Sequence, residues 1–153
     1  MKVKKMMTEH PVCAVPETPL RAVAHIMFEK NCGAVPIVEN FDTMKPVGIV
    51  TDRDITINTV AFNKDPLNMT AAEIMSFPVL TVRPDTSMDD CFEIMEDNKV
   101  RRIIVVNDDG AVCGVVAQAD IARFADEEEI AEFVRDISKP RARMIGRGTA
   151  VAH

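Results

Sequence analysis

Thr51 and Asp54 stand three residues apart in Gly48-Ile49-Val50-Thr51-Asp52-Arg53-Asp54-Ile55, where an apolar run passes directly into a helical pattern. A hydroxyl and a carboxylate at that spacing can do two kinds of work. A carboxylate accepts both hydrogens of a cis-diol and a neighbouring hydroxyl donates or accepts, so the pair suits a sugar. The unpaired N–H groups of a helix start add donors for an oxygen-rich ligand. The same spacing is also a capping-box pattern, in which the two residues satisfy backbone N–H groups and need no ligand. Spacing alone favours the cap, because helix caps are general and sugar sites are rare.

Other chemistry-bearing residues are read against that pair. A second stretch, Gly114-Val115-Val116-Ala117-Gln118-Ala119-Asp120-Ile121, repeats the pattern with Ala117 in place of the hydroxyl, so only Asp120 remains. Lys99, Arg101 and Arg102 lie just before an apolar strand pattern at 103–106, and Arg53 sits inside the first motif. They are candidates for neutralising ligand phosphates, with solvated surface charge paired to acids such as Asp97 as the alternative for each. His10, His25 and His153 have no evident partner for a nucleophile or a metal, and no metal site is expected. Cys13, Cys32, Cys91 and Cys113 are too scattered for paired-cysteine zinc ligation.

The chain has 153 residues, 47% hydrophobic and 27% charged, which suits one compact core or two small coupled ones. No run approaches the roughly 20 apolar residues of a membrane span, and residues 1–10 lack a secretory apolar stretch. A cytoplasmic protein without a membrane partner is the expectation. Net charge is -6, and the only formal charges after Ser138 are Lys139, Arg141, Arg143 and Arg147. The body before them is therefore four charges more acidic than the whole, which argues against a duplex nucleic-acid partner.

One unit is written twice. Met7-Thr8 recurs as Met75-Ser76 and Gly48-Ile49-Val50 as Gly114-Val115-Val116, with the same order of patterns between. Each copy has an amphipathic helix, two apolar strands joined by a turn, and a second helix. Leu20, Val23, Ala24 and Met27 make the first helical stripe, and Met88, Cys91, Phe92 and Met95 the second. Thr18-Pro19 and Thr86, with Asp89 and Asp90 beyond it, read as helix starts. Strands are expected at 34–38, 47–50, 103–106 and 113–116, and Asn107-Asp108-Asp109-Gly110 as a hairpin turn. Aligning the copies sets Cys13, Cys32, Cys91 and Cys113 against Leu80, Val100, Val23 and Val47, so all four thiols read as buried small hydrophobes. His25 aligns with Glu93 on a polar face. Ile130, Phe133, Val134 and Ile137 mark a further helix.

The two motifs, each opening with a Met-Thr or Met-Ser element and closing on Gly-apolar-apolar, resemble the CBS domain family over residues 3–124. The resemblance implies an α/β (α+β) fold of two tandem β-α-β-β-α repeats packed about a pseudo-twofold axis. The expected organisation is 1–68 for the first repeat, 69–124 for the second, 125–139 for a C-terminal helix and 140–153 for a disordered basic tail. It further implies an adenine nucleotide or other adenosyl ligand in a cleft between the repeats. Thr51 and Asp54 would hold the ribose, and Val12, Cys13, Ala34 and Pro36 would lie near the base. Arg53, Lys99, Arg101 and Arg102 would meet phosphates, and Asp120 would mark the second cleft.

Three functions compete. The leading one is a regulatory homodimer that signals ligand occupancy to a protein partner, with no catalytic cofactor. The second is a ligand-free dimerisation platform. Catalysis comes last, because the barrel to which such pairs are attached in IMP dehydrogenase needs about 250 residues.

Overall fold

The computed structural model describes residues 1–124, 127–139, 142–145 and 149–152, the last two stretches as backbone. Its helices arise where apolar spacing follows a helical period. Helix α1 (Leu20–Lys30) buries Leu20, Val23 and Met27, whereas Ala24, expected on that stripe, is exposed. Helices α2 (Asp52–Thr59) and α3 (Ala71–Ile74) follow. Helix α4 (Met88–Asn98), the counterpart of α1, buries Cys91, Phe92 and Met95. Helix α5 (Gln118–Ile121) corresponds to α2, and α6 (Glu127–Ile137) is the added C-terminal helix.

The helix starts differ from expectation by one residue. Ser87 caps α4, accepting from Asp90 N–H at 3.1 Å, while α1 begins after Pro19 without a side-chain cap. Thr18 and Thr86 instead close matching turns, accepting from Val15 N–H and Arg83 N–H at 3.0 Å each. Standing one residue too early, each hydroxyl reaches back along the chain and not forward into the helix.

The strands are β1 (Thr8–Glu9), β2 (Ala34–Val38), β3 (Pro46–Thr51), β4 (Ser76–Phe77), β5 (Thr81–Val82), β6 (Arg102–Val106), β7 (Val112–Ala117), β8 (Ala142–Ile145) and β9 (Thr149–Ala152). They form two sheets, ordered β2-β3-β4-β8-β9 and β1-β7-β6-β5. β2 with β3 and β6 with β7 are antiparallel pairs. The second pair is joined by the expected turn, in which Asn107 Oδ1 accepts from Asp109 and Ala111 N–H and Gly110 adopts φ 78°. That positive φ suits glycine. The β-α-β-β-α order is therefore present twice, with Ala14 bridging Ile37 in parallel where the second copy has β5 on β6.

The compact units are not the sequence repeats. One consists of Val12–Val79 with Ala142–Ala152, the other of Met1–Pro11 with Leu80–Arg141. We call them the first-repeat and second-repeat units. Each takes its leading segment from the other copy. In the second-repeat unit, Thr8 pairs with Val115 and a Cβ on Gly114 would stand 2.6 Å from Met7 Sδ. In the first-repeat unit, Ser76 pairs with Ile49 and a Cβ on Gly48 would stand 2.6 Å from Met75 Sδ. The boundary expected at 68/69 is a boundary of repetition only. The missing side chain at each glycine leaves the notch that the methionine fills.

Each unit has its own core. Leu20, Val23, Val35, Ile37, Val50 and Ile74 anchor the first. Val3, Met95, Ile103, Val116, Ile121 and Phe133 anchor the second. Helix α6 belongs to the second, where Phe133 meets Phe92 with ring centroids 5.8 Å apart and Ile137 is buried. The disordered tail expected at 140–153 is corrected at 142–145 and 149–152. There β8 and β9 form a hairpin, and β8 pairs with β4 through Ser76↔Ile145 and Phe77↔Met144. An open strand edge offers a row of backbone donors and acceptors, which even a basic segment can satisfy. Residues 140, 141, 146–148 and 153 lie outside the described residues. Among the described residues, no helix is long and apolar enough to cross a membrane.

Candidate functional site

The ladder between β2 and β3 places the first-motif residues. Ala34 lies opposite Thr51 and Pro36 opposite Ile49. Directly opposed residues of an antiparallel pair share a face, as do residues two apart on one strand. Ala34, Pro36, Ile49 and Thr51 therefore share one face of the sheet. Residues 12–14 run beside β2, with Ala14 N–H donating to Pro36 C=O at 3.0 Å and Val38 N–H donating to Ala14 C=O at 2.8 Å. Val12 is exposed, Cys13 and Pro36 are buried, and Ala34 and Thr51 are half-buried.

At the end of β3 the chain enters α2 through a complete capping box. Asp54 N–H donates to Thr51 Oγ1 at 3.1 Å, and Thr51 N–H donates to Asp54 Oδ2 at 2.9 Å. The Ser76 hydroxyl adds a longer bond to Asp54 Oδ2 at 3.4 Å. Asp54 has 0% exposure. Thr51 is half-buried on the sheet face, and the Asp54 carboxylate behind it is engaged by these bonds. Ser76 was not among the expected site residues. Its signal was the Met75-Ser76 element, legible as a repeat anchor but not as a partner for Asp54. Arg53 is exposed, and its backbone N–H donates to Asp52 Oδ1 at 2.9 Å.

The remaining candidates lie in the second-repeat unit. Asp120 is 8% exposed and accepts from Ala117 N–H at 2.8 Å, which retains half of the box. Arg102 lies opposite Ala117, the place that Ala34 holds opposite Thr51. Where this copy loses a hydroxyl, it gains a guanidinium on the same face. Arg101 is exposed, and its carbonyl accepts from Gln118 N–H at 3.0 Å. Lys99 adopts φ 54° at the end of α4, and its ammonium donates to Glu96 C=O at 3.0 Å. That is a favourable seat for a cation at a helix C-terminus. Neither Arg101 nor Arg102 forms an ion pair among the described residues, with Asp97 or any other acid.

The thiols divide. Burial pushes Cys13 up to about 11 and Cys91 up to about 12, so both are neutral at physiological pH. Cys113 is half-buried and also raised, chiefly by burial. Cys32, expected inside, is exposed. It follows Asn31, whose left-handed φ of 49° ends α1, and the turn carries its side chain out of the core. His25 is exposed, as expected, 2.9 Å from Glu29. Among the described residues, no group of three histidines, cysteines or acids could hold a metal.

The CBS domain family profile matches residues 3–58 and 71–127. Hypoxic response protein 1 of Mycobacterium tuberculosis is 34% identical over 139 residues, covering 91% of this chain and 95% of its own. Its crystal structure, described with two coordinated zinc ions, superposes with a TM-score of 0.71 at 30% identity, covering 82% of this chain and 100% of that one. The CBS domain pair of MJ0100, solved with 5-methylthioadenosine and S-adenosyl-L-methionine, is 31% identical with a TM-score of 0.72, covering 80% of this chain and 94% of that one. TA0289 of Thermoplasma acidophilum has the same fold, with a TM-score of 0.80 at 20% identity, covering 100% and 99%.

Proposed function

Because this chain belongs to the CBS domain family, we propose that it is a non-catalytic regulatory module that binds an adenosyl ligand on the sheet face of Thr51. The observation that carries this reading is the register that brings Ala34, Pro36 and Thr51 onto one face, with the segment at Ala14 bonded along β2. Adenosyl compounds bound to MJ0100 support the ligand class. The apolar residues suit the flat base, and the Thr51 hydroxyl with the Asp54 carboxylate suits the ribose diol. An exposed Arg53 adds charge for a phosphate.

The capping box supplies a way to signal. A ribose that takes Thr51 Oγ1 or Asp54 Oδ2 takes an acceptor from the first turn of α2, whose cap is worth about 1 kcal/mol. Binding therefore shifts the balance between a capped and an uncapped α2, and a homodimer or partner protein contacting that helix reads the shift. A ligand-free platform is the second reading, favoured by the complete burial of Asp54 in a box that satisfies itself.

Calorimetry with adenosine, AMP, ATP, S-adenosylmethionine and methylthioadenosine separates the two, supported by mass spectrometry of small molecules released from the purified protein. Saturable binding of at least one compound is expected. No binding of any of them at millimolar concentration would refute the sensor and leave the platform.

A further inference from the structure

The two copies differ at the strand that carries a hydroxyl toward the buried carboxylate. In the first-repeat unit that strand is β4, whose Ser76 lies opposite Ile49 of β3 and is half-buried. Its counterpart in the second-repeat unit is β1, whose Thr8 lies opposite Val115 of β7 and is exposed. The Ser76 hydroxyl donates to Asp54 Oδ2 at 3.4 Å. Among the described residues, Thr8 makes no such bond to Asp120, whose carboxylate accepts from Ala117 N–H. Each hydroxyl follows a methionine that fills a glycine notch, so the local sequence does not separate them.

A further strand does separate them. β4 is two residues long and meets β3 at one register pair, whereas on its other side β8 pairs with both of its residues, Ser76↔Ile145 and Phe77↔Met144. β9 backs that pairing through Ile145↔Thr149 and Met144↔Ala150. β4 is thus an interior strand of its sheet, while β1, among the described residues, is an edge with a neighbour on one side. A two-residue strand held on one side frays, whereas one held on both sides keeps its backbone, and with it the direction of its side chains. Directly opposed residues share a face, so Pro36, Ile49 and Ser76 form a row on the Thr51 side of the sheet.

We propose that Ser76 is a positioning residue for the Asp54 carboxylate and that the C-terminal hairpin of β8 and β9 holds it there, so that docking of the hairpin and binding on the Thr51 face are coupled. The inference rests on the adenosyl reading of that face and gives it a regulatory element. A hydroxyl fixed beside Oδ2 favours the one carboxylate orientation that also receives Thr51 N–H. A carboxylate has about four acceptor sites, so these two bonds leave room for a ribose diol. Coupling is reciprocal: a hairpin that raises affinity for the ligand is itself held more firmly when ligand is bound. The 142–145 segment, far along the chain from Thr51, thereby responds to occupancy.

Hydrogen exchange in the whole chain, read at the Thr51 amide by NMR, tests this. Of two adjacent antiparallel pairs one exchanges both backbone bonds, so Met144→Pro with Ile145→Pro removes the donor to β4 whichever pair it serves. This proline variant should speed Thr51 exchange about threefold, the low end for a hydrogen bond and in keeping with the length of the Ser76 bond. Ser76→Ala should do the same, Ser76→Thr should keep the wild-type rate, and adding Ser76→Ala to the two prolines should have no further effect. Unchanged exchange at the core residues Val35 and Val50 reports that a variant is folded. With 5-methylthioadenosine as the probe, the proline variant should bind about threefold more weakly, and the probe should slow exchange at 142–145 in the wild type. Thr51 exchange that Ser76→Ala leaves unchanged, or proline and Ser76→Ala effects that multiply, would overturn the positioning role. If the prolines unfold the unit, the comparison of Ser76→Ala with Ser76→Thr still decides that role, and the response of 142–145 to the probe decides the coupling. Equal affinity in the wild type and a folded proline variant would overturn the coupling. Binding of neither this probe nor any other adenosyl compound to the wild type, with the Thr51 effects present, would sink the adenosyl reading and leave Ser76 a positioning residue held by the hairpin.

Discussion

Asp54→Ala removes the acceptor of the Thr51 N–H at 2.9 Å and of the Ser76 hydroxyl at 3.4 Å. The longer bond contributes little. Losing the carboxylate half of the box is the loss of that first bond, and it leaves the Thr51 N–H without its acceptor beside a fully buried position. The expected loss is about 1 to 3 kcal/mol. Asp120→Ala removes the bond from Ala117 N–H at a position with 8% exposure, so about 1 kcal/mol is expected there. Equilibrium urea unfolding of the apo proteins reads both numbers, as a lower midpoint with an unchanged slope. Calorimetry with the best adenosyl ligand supplies the second axis. If Asp54 meets the ribose, its loss weakens binding roughly tenfold to hundredfold and Asp120→Ala does less. The two roles separate by linkage, because a cap lowers stability with or without ligand, whereas a ribose contact removes the ligand-dependent part. Unchanged affinity in a destabilised Asp54→Ala protein would reduce this residue to a cap and withdraw its binding role. Apo stability within about 0.5 kcal/mol of wild type would refute the energetic argument for the box, since that is the scatter of ordinary surface substitutions.

Further perturbations test other parts of the reading. Arg53→Ala should erase any preference for AMP over adenosine that weakens with salt, whereas an unchanged preference in titration calorimetry would remove Arg53 from phosphate recognition. Gly48→Ala drives a methyl group to 2.6 Å from Met75 Sδ and should cost about 1 to 3 kcal/mol in urea unfolding. Adding Met75→Ala should recover part of that loss, and strictly additive losses would show that the notch is not the cause. Maleimide labelling of the native protein near pH 7.5, followed by mass spectrometry, should modify Cys32 first. Cys13 and Cys91, raised to about 11 and about 12, should stay protected until unfolding, and labelling of Cys91 as fast as Cys32 would contradict its burial.

Local features were legible where a few neighbouring residues settle them. The Thr51-x-x-Asp54 box, the Asn107–Gly110 turn, the apolar stripes of α1, apart from Ala24, and of α4, and the existence of α6 each depend on spacing over one or two turns, which backbone geometry translates directly into structure. Repetition made these readings firmer, because two copies of one pattern rarely mislead in the same way. The lost hydroxyl at Ala117 was equally plain, since a side chain absent from the sequence is absent from any fold.

Distance along the chain marks where that legibility stops. Met7 fills the notch at Gly114 and Met75 the notch at Gly48, so each compact unit borrows its leading segment from the other copy, and no local pattern reports an exchange made by packing. Ser76 reaches Asp54 for the same reason. The exposure of Cys32 follows from a left-handed residue that turns the chain after α1, although its twin position is apolar. The 142–145 and 149–152 segments become strands because β4 offers an unpaired edge, which composition does not reveal. Sequence by itself determined the repeats, their elements and the chemistry available at each motif, because those are set by covalent geometry and side-chain type. Tertiary structure alone decided which copies of those elements share a core and which polar atoms remain exposed, because burial is a property of neighbours brought together from far along the chain.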